Sequence, residues 1–336
     1  MAQGWLRALA ENERLTGRVK IVGLVDLNPD IAEALALQFH LDDAVIGSDL
    51  DAVLTQTGAD LVFDVVVPSA RRKVVETALA HGCHVLSEKP LAPSKADGEA
   101  LVAAARKADR IFAVIQNRRY IPGIRRLRAF VESGAIGDLT GIHCDFFIGA
   151  HFGGFREDMD HVLLLDMAIH TFDAARFVSG KVPLAVYCHE TNPVGSWYRA
   201  GASAFAIFEM SDDVAFTYRG SWCAEGANTS WESAWRITGS KGTVLWDGHE
   251  TFAAHRVAAD EGFLRSQEAL VVPEAENVSE TEGHASVMAA FLDAVETGQA
   301  PETAASDNLR SLAMVMGAID SARTGQRVTI MEGPNA

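Results

Sequence analysis

The most constraining feature of this chain is a regular alternation of β-branched apolar runs with helix-length segments over its first 117 residues. Val19–Val25 is one such run, closed by Asp26 and the turn pair Asn28-Pro29, and Ile31–Phe39 then reads as a helix. "ADLVFDVVVP" leads into the helical "ARRKVVETALAHG", which is followed by the short strand "HVLSEKP". Ala-rich Lys95–Ala108 and the strand "IFAVIQN" complete the pattern. Strands separated by whole helices cannot pair as hairpins. They must lie side by side in a parallel sheet, with their carboxyl ends along one edge.

The rhythm changes near residue 118. "GIRRLRAFVESGAIGD" reads as a helix stopped by Gly134 and Gly137. A series of alternating segments follows, from "LTGIHCDFFI" through "LAVYCHE", "ASAFAIFEMSD" and "VAFTYRGSWCA" to "SAWRITGSKGTVLWDG" and "ETFAAHRV". Their spacing suits adjacent strands of an antiparallel or mixed sheet. One helix, "LLLDMAIHTFDAARFVSG", interrupts them, and helices near 284–298 and 304–324 precede a final "QRVTI". The expected fold is α/β: a nucleotide-binding-type parallel-sheet domain over 1–117, then a second α/β domain over 118–336 with a large, open, mostly antiparallel sheet.

Composition narrows the function. A formal charge of −16 argues against general affinity for nucleic acid or anionic membranes, although backbone amides can still bind an anionic cofactor locally. No apolar run is long enough for a bilayer. The four scattered cysteines (Cys83, Cys144, Cys188, Cys223) contain no C-x-x-C pair, which suits reduced thiols in the cytoplasm better than a disulfide framework.

Three places carry candidate chemistry. Asp26 closes an apolar strand where a dinucleotide-binding unit keeps an acid for the ribose hydroxyls, which favours NAD over NADP; the same residue also suits a plain turn. Lys89, in Glu88-Lys89-Pro90, puts a cation at the carboxyl edge of the sheet, where it could stabilise a developing oxyanion. Pro90 makes a cis peptide bond possible there. A structural reading makes the same charges ordinary loop residues. Asp166, His170 and Asp173 stand at i, i+4 and i+7, one polar stripe on an apolar helix. Such groups are costly to bury unless they serve one another or a ligand. His170 suits acid–base work, with Asp166 orienting it or holding a hydroxyl and Asp173 in support. A capped, partly exposed helix face would need the same residues. A metal reading, with His161 upstream, lacks a third ligand at fixed spacing, so no metal is assigned.

Asn117 is placed to meet a cofactor, and Arg119, Tyr120 and Asp173 to meet a substrate. Arg125, Arg126 and Arg128 read as a solvated helix face, and His84 as a core or edge histidine. His151 sits in a glycine-rich loop. Trp197, Trp222, Trp231, Trp235 and Trp246 read as core or interface, with one or two available as a sugar platform.

Together these segments resemble the Gfo/Idh/MocA oxidoreductases (glucose–fructose oxidoreductase, inositol dehydrogenase and rhizopine-catabolism proteins). "ALAHGCHVLSEKPLA" resembles the family's cofactor-edge motif, and "NRRYIPGIRRLRAFVESGAIGDL" its inter-domain segment. "LDMAIHTFD" resembles its second catalytic motif, and "WRITGSKGTVLWDG" its second-domain sheet. The resemblance implies a Rossmann domain followed by a sheet domain whose open face often makes a homodimer or homotetramer. It puts Lys89, Asp166 and His170 on catalytic positions, and Val67, Pro68, Glu88, Lys89 and Asn117 beside NAD. It implies oxidation of a secondary hydroxyl of a sugar or cyclitol, or reduction of the matching ketone. An NAD-keeping glycosidase would use the same Lys and His, and a non-catalytic sugar- or cofactor-sensing protein would keep the fold.

Departures accompany the resemblance. "PSARR" carries Arg72 where the family often has His, and "HVLLL" replaces the glycines that usually precede the catalytic Asp. The opening "MAQGWLRALA" resembles the end of the G-x-G-x-x-(G/A) loop and the helix after it. The first Rossmann strand and its glycines are therefore expected upstream of Met1, in a longer natural protein.

Overall fold

The computed structural model describes residues 1–277 and 280–330; the last six residues of the second domain as read from sequence lie outside the described residues. The chain divides into two compact units, Met1–Asn117 with Glu282–Leu309 and Arg118–Thr281 with Arg310–Ala336. The division falls after Asn117, and residues 282–309 group with the first unit.

The first unit contains α1 (Ala2–Glu11), β1 (Gly23–Val25), α2 (Pro29–Gln38), β2 (Val45–Gly47), α3 (Leu50–Thr57) and β3 (Leu61–Asp64). It continues with α4 (Pro68–Ala80), β4 (His84–Ser87), α5 (Lys95–Ala108) and β5 (Phe112–Val114). All its pairings are parallel, β1 with β2 and β4 between β3 and β5. No ladder joins these two groups among the described residues. β2 and α3 were not foreseen, since a three-residue strand carries too little periodicity to read. Local chemistry sets the helix starts. Pro68 occupies the first turn of α4, where no N–H is needed. Ser94 caps α5 by accepting from the Asp97 amide at 3.1 Å and donating to its carboxylate at 2.7 Å. The returning segment carries α8 (His284–Thr297), and Thr303 receives the Val114 amide at 3.0 Å. Phe291 of α8 approaches Phe63 of β3, their ring centroids 6.2 Å apart, which ties this segment to the first unit.

The second unit contains α6 (Pro122–Glu132), β6 (Leu139–Phe147), a π-helical turn (Leu163–Ala168) and α7 (Ile169–Ser179). Then come β7 (Pro183–Thr191), β8 (Ser203–Met210), β9 (Ala215–Ser221), β10 (Ala234–Gly239), β11 (Gly242–Trp246), β12 (Phe252–Val257) and β13 (Gln267–Leu270). α9 (Ala305–Thr324) leads to β14 (Val328–Thr329). The nine strands run in the order β13-β12-β11-β10-β6-β9-β8-β7-β14, antiparallel except for β6 beside β9. β8 shows the two faces: Ala204, Ala206, Phe208 and Met210 are buried, while Phe205 and Ile207 are exposed. On the inner face, Phe172 of α7 meets Phe208, Tyr218 and Phe216 with ring centroids 4.7, 5.2 and 6.0 Å away. Full burial of such a ring contributes about 1.5–3 kcal/mol, which fixes α7 on the sheet.

Candidate active site

In the first unit the candidate cofactor residues stand where parallel strands end. Asp26 follows β1, and its Oδ1 accepts from the Asn28 amide at 2.9 Å. Val67, 63% exposed, precedes α4, and Pro68 begins it. Glu88 and Lys89 follow β4, and the Lys89–Pro90 peptide is cis. Glu88 is buried and accepts from Trp5 Nε1 at 3.0 Å through Oε1 and from the Lys89 amide at 3.2 Å through Oε2. Burial holds the His284 imidazole below its usual pKa, with Glu88 pulling the other way. Asn117 opens a short 3-10 turn after β5.

Arg71, which the sequence reading passed over, organises this edge. It is fully buried, donates from Nε to Asp64 at 2.7 Å, and reaches the Val66 carbonyl at 2.7 Å and the Pro90 carbonyl. Ser87 donates to the same Asp64 oxygen at 2.7 Å. One guanidinium thus joins the turn before α4 to the turn carrying Lys89. Arg72, at the departure noted above, instead forms an exposed pair with Glu76 and Asp97.

In the second unit Asp166 lies in the π turn and His170 in the first turn of α7. π turns are rare and often mark functional sites. The two aspartates of the stripe each take an arginine from another element. Asp166 accepts from Arg156 Nε at 2.8 Å. Asp173 is buried and takes both Nε and Nη2 of Arg119 at 2.6 Å, with the Ser311 hydroxyl also at 2.6 Å. Arg119 and Asp173, both expected at the substrate, bind each other in this fork. Tyr120 is likewise buried, with Arg125 4.4 Å above its ring. The helix face read as solvated is also altered: Arg125 and Arg128 stack on Phe177, and Arg126 on Phe252. Their long aliphatic stems and planar heads suit aromatic faces better than water alone.

His161, expected only as an outside metal candidate, has a left-handed backbone and pairs through Nδ1 with Glu190 at 2.5 Å. That hydrogen bond raises its pKa against the effect of burial. Gly201 makes the approach possible. A Cβ there would lie 2.6 Å from both the His161 Cα and Glu190 Oε1, and its carbonyl receives the Leu163 amide that starts the π turn. His151 stacks on Trp197 with centroids 3.7 Å apart. His84 accepts the Ile111 amide at 2.9 Å, as a core or edge histidine would. Trp222, Trp235 and Trp246 are buried, and Trp231 is half exposed.

Residues 1–116 match the oxidoreductase family with an NAD-binding Rossmann fold, and residues 124–245 match the GFO/IDH/MocA C-terminal domain. The chain is a Gfo/Idh/MocA oxidoreductase. It is 26% identical over 321 residues to D-apiose dehydrogenase of Rhizobium rhizogenes, covering 92% of this chain and 90% of that one. An Agrobacterium radiobacter oxidoreductase solved with NAD+, L-tartaric acid and magnesium superposes with a TM-score of 0.79 at 23% identity, covering 92% and 91% of the two chains. Levoglucosan dehydrogenase with NADH and levoglucosan gives 0.80 at 17% identity, covering 98% and 96%.

The residues of this Gfo/Idh/MocA Rossmann domain fit NAD. Asp26 keeps Oδ2 unspent among the described residues. Gln116, beside Asn117, is buried with both polar atoms of its amide unpartnered among the described residues, leaving a donor and an acceptor at the strand edge. Only Asn117 of that pair had been singled out from sequence. Nothing in a lone buried glutamine would have marked Gln116.

Proposed function

We propose that this oxidoreductase oxidises a secondary hydroxyl of a sugar, cyclitol or related polyol, or reduces the corresponding ketone, with NAD preferred to NADP. The observation that carries this reading is Asp166, held by Arg156 in a π turn, with His170 four residues on in the same structural run. NAD, when bound, accepts or returns the hydride. His170 takes the hydroxyl proton, a task suited to an imidazole near neutral pH. Asp166, paired with Arg156, holds the reacting hydroxyl, and the Lys89 ammonium stabilises charge on its oxygen. Glu88 and Asn117 orient the cofactor edge together with Val67 and Pro68. Asp26 offers its carboxylate to ribose hydroxyls and repels a 2′-phosphate. Arg119, Tyr120 and Asp173 support α7 from behind.

D-Apiose and levoglucosan, the sugars named for the two relatives above, support the substrate class. The exposed outer face of the second sheet, with Tyr187, Phe205 and Ile207, supports assembly into a homodimer or homotetramer. No helix among the described residues is long and apolar enough to cross a membrane. The four free cysteines suit a reducing cytoplasm. The test is NADH formation across a panel of sugars and cyclitols. Lys89→Ala and His170→Ala are each expected to lower turnover at least about 100-fold while sparing NAD affinity. Unchanged turnover in either variant removes that residue from the mechanism.

A further inference from the structure

The loop after β6 brings two phenyl rings and a guanidinium beside Asp166. Phe152 and Phe155 are 45% and 67% exposed, and Trp231, between β9 and β10, is 47% exposed. Phe152 lies 6.1 Å from Trp231 and 5.2 Å edge-on to buried Trp222, and Trp222 lies 5.6 Å from Trp231. The Arg156 guanidinium carbon stands 4.9 Å from the ring centres of both Phe152 and Phe155. Its Nε is spent on Asp166, while its two Nη atoms have no hydrogen-bond partner among the described residues. Three exposed aromatics in one cluster are more than scattered surface apolarity. The arrangement combines flat apolar faces with two fixed donors at their edge, the chemistry that a pyranose or furanose presents in reverse: C–H faces ringed by hydroxyl acceptors. The residues that follow Arg156 in sequence include three acids (Glu157, Asp158 and Asp160), which disfavour an anionic occupant.

We propose that Phe152, Phe155, Trp231 and Arg156 form a subsite for a second sugar ring, so that the preferred substrate is a glycoside or disaccharide rather than a free monosaccharide. The inference rests on the reading of Asp166 as a group that meets substrate. Arg156 links the two places, binding Asp166 through Nε and the second ring's hydroxyls through Nη. The apolar faces of that ring cover Phe152 and Trp231, and Phe155 closes over Arg156 from its other side.

Intrinsic tryptophan fluorescence of the full chain, in which Trp222 and Trp231 report, tests this with xylose, glucose and galactose against xylobiose, cellobiose and lactose. At least one disaccharide is expected to bind about tenfold tighter than its own monosaccharide, on the order of one stacked ring. Phe155→Ala and Arg156→Gln are each expected to bring that ratio to within about twofold, with Phe155→Ala removing an exposed ring that the fold does not need. Equal affinities across all three pairs overturn the proposal, as does a ratio that neither variant changes. A lower oligomeric state of Phe155→Ala in sedimentation equilibrium also overturns it, assigning the rings to an interface with a second copy. Tight disaccharide binding without NADH formation from any sugar sustains the subsite and removes the proposed sugar oxidation. NADH formation with no preference for disaccharides does the reverse.

Discussion

Each unit buries a closely hydrogen-bonded arginine–aspartate pair, Arg71–Asp64 and Arg119–Asp173, and the two do the same work in different ways. In the first, Arg71 gives Asp64 one hydrogen bond and spends its other donors on the carbonyls of Val66 and Pro90. In the second, Arg119 gives Asp173 a two-point fork, and Ser311 adds a hydrogen bond to the Oδ1 that already takes Arg119 Nη2. The first guanidinium is a tie between backbone turns, so it fixes where the chain goes around Lys89. The second is a tie between side chains, so it fixes one helix, the one that carries His170. Burying such ions is costly, and each pair compensates by satisfying nearly every donor and acceptor it brings inside.

This contrast predicts unequal responses. Arg71→Ala strands the Asp64 carboxylate in the interior and releases two carbonyls. We expect a loss of about 3–5 kcal/mol in urea unfolding, while Arg71→Met with Asp64→Leu loses clearly less. Equal losses in the single and double variants would mean that the backbone tie, not the charge, is what matters. Arg119→Lys keeps a cation but not the fork, and is expected to cost about 1.5–3 kcal/mol and to lower kcat more than it changes NAD affinity. An unaffected kcat would dissociate the second pair from His170. Gly201→Ala, pushed against His161 and Glu190 in a left-handed backbone, is expected to cost about 1–3 kcal/mol by thermal unfolding. The smallest effect is on pH dependence. Glu190 raises the His161 pKa in the fold, so this pair's stabilisation is complete below about pH 6.5 and fades as pH rises through the raised value. Glu190→Gln is expected to flatten that fall, and an unchanged slope would remove the pair as its source.

How much could be read in advance followed from the range of the forces involved. α5 was expected over Lys95–Ala108 and lies there, because its Ser94 cap, Asp97 and apolar spacing all sit within one short window. The strands of the second sheet were legible for a similar reason, their inside–outside alternation repeating over seven to nine residues in β6, β7, β8 and β9. β1 was overdrawn as Val19–Val25, since apolar β-branched residues continue outside the paired stretch. The π turn could not be read, because one extra residue in a helical run leaves no mark in a 3.6-residue pattern.

The residues alone carry the family, the parallel and antiparallel halves, and the candidacy of Lys89, Asp166 and His170. Composition, periodicity and motif order are local properties, and they survive without knowing what packs on what. The charge partners come from the fold: Arg71 with Asp64, Arg119 with Asp173, Arg156 with Asp166. Twenty-nine lysines and arginines face forty-five acids in this chain, and almost any pairing is consistent with the sequence. Burial and distance choose among them, because an ion in the interior must find its counterion there, whereas one at the surface can find water.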